Sequence, residues 1–177
     1  SECLQEAFQH KILRHICNTA GIERYPGAQF DMVRLGIGLY GIDPFTNQII
    51  HNVSTLKTTI LQIHEVPKEE TVGYSRKGQR DSRIAAIPIG YADGLNRRLG
   101  NGHAYCLVNG QKAPYVGNIC MDVCMIDVTD IDCKEGDKAI IFGDDLPVTV
   151  LSEILETIPY EILTSVSNRV KRVYYQN

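Results

Sequence analysis

The chain has 177 residues, 44% hydrophobic and 22% charged, enough for one full globular domain and part of a second. A formal net charge of −3 leaves no cationic footprint for nucleic acid, and the one dense basic stretch, 169–172, is interrupted by Val170. No apolar run reaches the roughly 20 residues that cross a bilayer, and the acidic opening "SECLQEAFQHKILRHIC" lacks a signal-peptide core, so a cytoplasmic protein is expected.

In chain order, Leu4, Ala7, Phe8, Ile12 and Leu13 lie at helical spacing. "RHICNTAGI" (14–22) reads as a short strand entering a turn, and "FDMVRLGIGLYGIDP" (30–44) as a strand that breaks into glycines and stops at Pro44. The texture then changes. "STLKTTILQIHEV", "RIAAIPIGYA", "AYCLVNGQKAPYVG", "ICMDVCMIDV" and "DKAIIFGDD" are short β-branched segments separated by Gly, Asn, Asp and Pro, the rhythm of a compact sheet or barrel. "LSEILETI" (151–158) reads as an amphipathic helix with Ser152 as its N-cap, and "VSNRVKRVYY" (166–175) as a closing strand. The expected architecture is mainly β, with residues 1–48 as the tail of an α/β element and 49–177 as a β-domain. A chain that opens in mid-pattern is expected to be part of something longer.

Four features bear on chemistry. "GIGLYG" (36–41) matches G-x-G-x-x-G, but Pro44 follows where a dinucleotide site needs a helix, so no Rossmann site is expected. The glycines still offer backbone N–H groups that can approach a phosphate closely. In "VGNICMDVCMID" (116–127) strand alternation puts Cys120, Asp122 and Cys124 on one face and Ile119, Met121, Val123 and Met125 on the other. A zinc site wants four ligands in tight pairs, the histidines are scattered, and no metal is expected. The six cysteines form no Cys-x-x-Cys pair and are expected to be free thiols. Finally, Tyr74 in "EETVGYSRKG" and Tyr91 in "IPIGYADGLNRR" sit at strand ends. Such tyrosines either pack a ring at a rim or, with a pKa of about 10 lowered by nearby cations, act as acid or base.

The ordered set "CNTAGI", "DMVRLGIGLYG", "TVGYSR", "IPIGYADGLNRRL", "LVNGQKAPYVGNICMDVCMIDVT" and "EILTSVSNRVKRVYY" resembles the C-terminal half of the bacterial alanine racemases, which use pyridoxal 5′-phosphate (PLP). The resemblance implies a Greek-key-like β-barrel of the racemase C-terminal type, preceded by the last strand and helix of a PLP-binding (β/α)₈ barrel. It implies a parent that interconverts L- and D-alanine for peptidoglycan, working as a homodimer in which the β-domain reaches the partner's active site. By the same resemblance Thr19, Gly36 and Ile37 hold the PLP phosphate and Arg34 faces the pyridine nitrogen. Tyr74 is the base on the face of Cα opposite the PLP lysine. The Met121 N–H meets the substrate carboxylate with Asp122 beside it, and Tyr91 and Arg97 line the access route.

The sequence departs from the family at Asn118, where a basic residue is usual, at Asn168, a tyrosine in some members, and at Lys171, usually proline. Nothing matches the "KANAYG"-like motif that carries the PLP lysine, so the 177 residues alone are expected to be inactive. A fusion behind the muramoyl-tripeptide D-alanyl-D-alanine ligase, known in some bacteria, is compatible with this chain. The alternatives are a PLP-dependent basic amino-acid decarboxylase, which shares the two-domain plan, and a non-catalytic dimerisation domain.

Overall fold

The computed structural model describes residues 6–72, 76–77 and 81–175, and the chain divides into two compact units, Ser1–Val53 and Ser54–Asn177. In the first unit the helical stripe expected near the start falls partly outside the described residues; of its described part only residue 6 is helical, and 8–17 have no regular structure. "RHICNTAGI" does not form a strand entering a turn. It makes a single parallel bridge, Asn18 with Arg34, and then the helix α1, Thr19–Arg24. Asn18 explains the switch: its side chain accepts from the Gly21 N–H at 2.9 Å and caps the helix start. The glycine-rich stretch likewise forms a 3₁₀ turn over Ile37–Tyr40, closed by Gly41 in the left-handed region at φ 69°. A side chain at Gly41 would run into the His51 carbonyl, so the glycine is a packing requirement there. Arg14 and Asp31 tie the two limbs of the unit, Nε to Oδ2 at 2.9 Å, and hold the Asp31 carboxyl down at about 2.

The second unit is the β-domain expected from the sequence. Its strands are β1 (Leu56–Thr59), β2 (Gln62–Val66), β3 (Thr71–Val72), β4 (Arg76–Lys77), β5 (Ser82–Ile87), β6 (Tyr105–Val108), β7 (Gln111–Val116), β8 (Cys124–Asp127) and β9 (Lys138–Phe142). Seven of them form one antiparallel sheet in the order β1-β9-β6-β7-β8-β5-β2, while β3 and β4 pair separately. The strands at the two edges of that order, β1 and β2, are joined through Ile60 and Leu61 alone. The sheet therefore curls, with the chain passing from one edge strand to the other within two residues.

Local chemistry sets the register. β6 and β7 are joined by Asn109 and Gly110, both at positive φ (50° and 75°), the turn whose twist matches a two-residue hairpin. Alternation then sends Ala113 and Tyr115 from β7, Cys124 and Ile126 from β8, and Cys106 and Val108 from β6 into the core. Helix α2 (Val148–Leu155) seals one end by burying Val148, Leu151, Ser152 and Leu155, an i, i+3, i+4, i+7 face.

Two local expectations are corrected and one helix is added. Ser152 is not an N-cap but a buried residue inside α2, its hydroxyl donating to the Thr149 carbonyl at 2.9 Å. A further helix, α3 (Pro159–Ser165), follows; proline at its first position and Glu161 in its first turn are its sequence signals. Residues 166–175 form no strand, because the Arg172 guanidinium takes the carbonyls of Val166, Ser167 and Val170 and folds the segment on itself.

Candidate active site

The expected strand 119–127 is in fact a turn followed by a strand. Ile119 is buried, Met121 and Asp122 are exposed, and regular pairing begins only at Cys124. The predicted common face of Cys120, Asp122 and Cys124 is therefore not formed. The cause lies 29 residues upstream. After β5 the chain makes a 3₁₀ turn over Tyr91–Asp93, whose Tyr91 and Ala92 N–H groups donate to the Cys120 and Met121 carbonyls, each at 3.0 Å. Those carbonyls are lost to any ladder, and the Cys120 N–H instead closes a turn onto the Val123 carbonyl at 3.0 Å. Gly90 permits the contact: a Cβ there would lie 2.3 Å from both carbonyl oxygens.

Electrostatics locks this junction. Asp93 is nearly buried; one carboxylate oxygen accepts from the Gly90 N–H at 2.8 Å and the other from Arg169 Nε at 2.7 Å. The same guanidinium donates through Nη2 to Asp122 at 2.6 Å. Burial pushes the Asp93 carboxyl up, but Arg169 and the Gly90 N–H outweigh it and hold the acid below its ordinary value. Asp93 and then Asp122 raise Arg169 in turn. The segment that carries Arg169 is fastened to the same turn, Ser167 N–H to Asp93 O at 3.0 Å and Ser165 Oγ to Gly94 O at 3.1 Å.

Three of the expected substrate residues thus come together: Tyr91, Met121 and Asp122 belong to one braced junction, and the Tyr91 and Met121 side chains face outward at 43% and 52% exposure. Among the described residues the Met121 N–H has no acceptor. Arg97, on the 3₁₀ turn Arg97–Leu99, is exposed and shares with Tyr91, Asn96, Glu161 and Ser165 an open groove of about 290 Å³. Tyr74 lies outside the described residues. Asn118 accepts from the Asn101 amide at 3.0 Å. The residues missed in the sequence are Asp93 and Arg169. Their signals were the acid within "GYADG" and the basic stretch near the C-terminus.

In the first unit the expected phosphate residues are also neighbours. The Gly36 N–H donates to Thr19 Oγ1 at 2.9 Å, and Gly38 lies so close that a Cβ would sit 2.9 Å from the Thr19 methyl group. Ile37 follows at the head of its 3₁₀ turn, and Arg34 is tethered by its Nη2 to the Ile16 carbonyl at 3.0 Å. The Thr19 hydroxyl, whose oxygen accepts from the Gly36 and Gly38 amides and whose own O–H is left to donate, is with the adjacent Ile37 N–H a donor set that suits a phosphate.

Cys106 and Cys124 are buried in the barrel, and burial pushes the Cys106 thiol up to about 12 and Cys124 higher still. Among the described residues no group of three or more His, Cys, Asp or Glu side chains could hold a metal, and no helix is long and apolar enough to cross a membrane.

In class, the chain is an antiparallel β-barrel domain with polar groups gathered on its loops, joined to a short segment that bears a hydroxyl-and-glycine cradle. It belongs to the alanine racemase family. The family model "Alanine racemase, C-terminal domain" matches residues 53–174 and "Alanine racemase, N-terminal domain" matches 1–44. The chain is 43% identical over 178 residues to the alanine racemase of Clostridium novyi, covering 93% of this chain and 46% of that protein. Among solved structures it resembles alanine racemase of Clostridium difficile in complex with cycloserine, with TM-score 0.86 and 35% identity over 99% of this chain and 49% of the other. It also resembles alanine racemase of Bartonella henselae with covalently bound pyridoxal phosphate, with TM-score 0.81 and 39% identity over 91% of this chain and 46% of the other. The chain thus spans about half the length of the relatives it matches.

Proposed function

We propose that this chain is the C-terminal half of an alanine racemase, and that its parent interconverts L- and D-alanine in the cytoplasm to supply peptidoglycan synthesis. The observation that carries this reading is the succession of both family models along one chain, 1–44 and 53–174. We read the first unit as the tail of the PLP barrel and the second as the β-domain that serves the partner subunit of a homodimer.

PLP, when bound, supplies an electron sink for the charge left at Cα once its proton departs. The residues of this chain supply one share of the remaining work. Thr19 Oγ1 and the N–H groups of Gly36 and Ile37 hold the phosphate. Arg34 would face the pyridine nitrogen with its guanidinium charge and disfavour a proton there, which would restrain the sink and favour return of the proton to Cα. Tyr74 takes or gives a proton on one face of Cα. The Met121 N–H holds the substrate carboxylate, Asp122 shapes the turn beside it, and Tyr91 and Arg97 line the way in.

The test uses the full-length parent with PLP, wild type beside Tyr74→Phe, and reads D-alanine formed from L-alanine. Removing one of two acid/base groups should cost at least about 10²-fold in rate. A wild type that makes no D-alanine refutes the reading, and CO₂ release from a basic amino acid would identify a decarboxylase instead. Full activity in Tyr74→Phe would move the proton transfer to another residue. The 177 residues alone should show no turnover, because no stretch matches the lysine motif.

A further inference from the structure

The junction fixes the direction of two backbone donors that the chain itself leaves unused. The Tyr91 N–H donates to the Cys120 carbonyl and the Ala92 N–H to the Met121 carbonyl, each at 3.0 Å. The two carbonyl oxygens converge, since both would lie 2.3 Å from a single point, a Cβ built on Gly90. A trans peptide unit is planar, with its N–H directed opposite to its C=O. The N–H opposite the Cys120 carbonyl belongs to Met121, and the N–H opposite the Met121 carbonyl belongs to Asp122. Both are therefore turned away from Gly90, and among the described residues neither has an acceptor.

The turn that grips the two carbonyls is itself braced. The Asp93 carboxylate accepts from the Gly90 N–H at 2.8 Å, and the Asp93 N–H donates to the Gly90 carbonyl at 3.0 Å. Met121 and Asp122 are exposed, so the side toward which the free donors point is open. The charge best placed to repel an anion there, the Asp122 carboxylate, is paired with Arg169 at 2.6 Å. Successive N–H groups that face one way form an anion-binding concavity, and donors already held in place need no reorganisation when the anion arrives. Two such donors match the two oxygens of a carboxylate.

We propose that the Met121 and Asp122 N–H groups together form a two-donor nest for the carboxylate of the amino-acid substrate, one donor to each oxygen, aimed by the Tyr91–Asp93 turn. This rests on the reading of the Met121 N–H as a carboxylate donor and adds the Asp122 backbone as the second. The carboxylate is common to both enantiomers of an amino acid, so a grip confined to it serves the reaction in either direction.

The experiment uses the full-length holoenzyme, isotope-labelled at its methionine and aspartate nitrogens, and follows the Met121 and Asp122 amide resonances as propanoate is added. Propanoate keeps the carboxylate and lacks the amine. Both amide protons should move downfield together, with one shared dissociation constant, and both should exchange more slowly with solvent. Propanamide, which has the shape without the charge, should move neither. A second arm replaces the Asp122 N–H by an ester oxygen and leaves the side chain in place. The propanoate inhibition constant and KM for both alanine enantiomers should then rise about 10-fold or more, as loss of one hydrogen bond to a charged group would require. Should the ester variant fail to fold, the titration of the wild type decides alone. Movement of the Met121 amide without that of Asp122 overturns the proposal, as does an equal response to propanamide or an ester variant with unchanged constants. If the wild type does not racemise alanine, the functional reading falls, and the titration still decides whether the two donors hold a carboxylate.

Discussion

Gly90→Ala should destabilise the β-domain well beyond an ordinary glycine replacement. Gly90 sits at φ −149°, a conformation open to any residue, so backbone strain plays no part. Space does. The added Cβ would lie 2.3 Å from the carbonyl oxygens of Cys120 and Met121 and 2.5 Å from the Met121 carbonyl carbon. These distances are about 1 Å inside ordinary contact, and the obstacle is backbone that cannot rotate away. Relief requires the 120–123 turn to move off the 90–94 turn, which breaks the Tyr91 and Ala92 hydrogen bonds to those carbonyls. Overpacking costs about 1–3 kcal/mol and each of the two lost bonds about 0.5–1.5 kcal/mol, so the total is about 2–6 kcal/mol. With a urea slope of about 2 kcal/mol per M, the unfolding midpoint should fall by roughly 1–3 M. Tyrosine fluorescence reports it, since the chain has nine tyrosines and no tryptophan. Two controls separate the causes. Gly27 has nothing within 4 Å and no positive φ, so Gly27→Ala should stay within about 0.5 kcal/mol of wild type. Gly102 is also open but sits at φ +78°, so Gly102→Ala should cost about 1–2 kcal/mol from the left-handed conformation alone. A Gly90→Ala protein as stable as Gly27→Ala would refute the account of the junction.

Tyr115 offers the opposite sign. Its side chain is buried in the barrel and its hydroxyl has no hydrogen-bond partner among the described residues, so Tyr115→Phe should leave stability unchanged or raise it by about 1–3 kcal/mol, read as a higher melting temperature. A loss of more than about 1 kcal/mol would mean the hydroxyl is satisfied. Acid should loosen the Arg14–Asp31 clasp late. The Asp31 carboxyl is lowered to about 2 from 3.8, chiefly by its hydrogen bonds with Arg14, so the folded form holds its proton less tightly than the unfolded chain. The stabilisation is full above the ordinary carboxylate value and is lost as the pH falls through about 2. A carbon-detected titration should place the Asp31 midpoint near 2, and a midpoint at 3.8 would remove the clasp from the account.

Much of the architecture is written in local sequence. Asn109-Gly110 names its hairpin, the alternation of β6, β7 and β8 names the buried face, and Leu151 with Leu155 marks the inner side of α2. The family motifs pointed to Tyr91, Met121 and Asp122, and the structure gathers these at one junction. Tyr74, the expected base, lies outside the described residues. Periodicity failed where a distant partner intervened. "ICMDV" alternates like a strand, yet the Tyr91 and Ala92 N–H groups claim its carbonyls and bend it into a turn. "VSNRVKRVYY" also reads as a strand, yet Arg172 collects its carbonyls. Asp93 and Arg169 stand 76 residues apart, and no local pattern couples them. By itself, then, the sequence determined which segments could pair, which faces would be apolar and which family the chain resembles, because those properties depend on side-chain spacing within a few residues. Only the tertiary structure decided which backbone groups were left for the ladder and which acids shared one guanidinium, because a hydrogen bond is settled by whatever donor the folded chain brings within 3 Å.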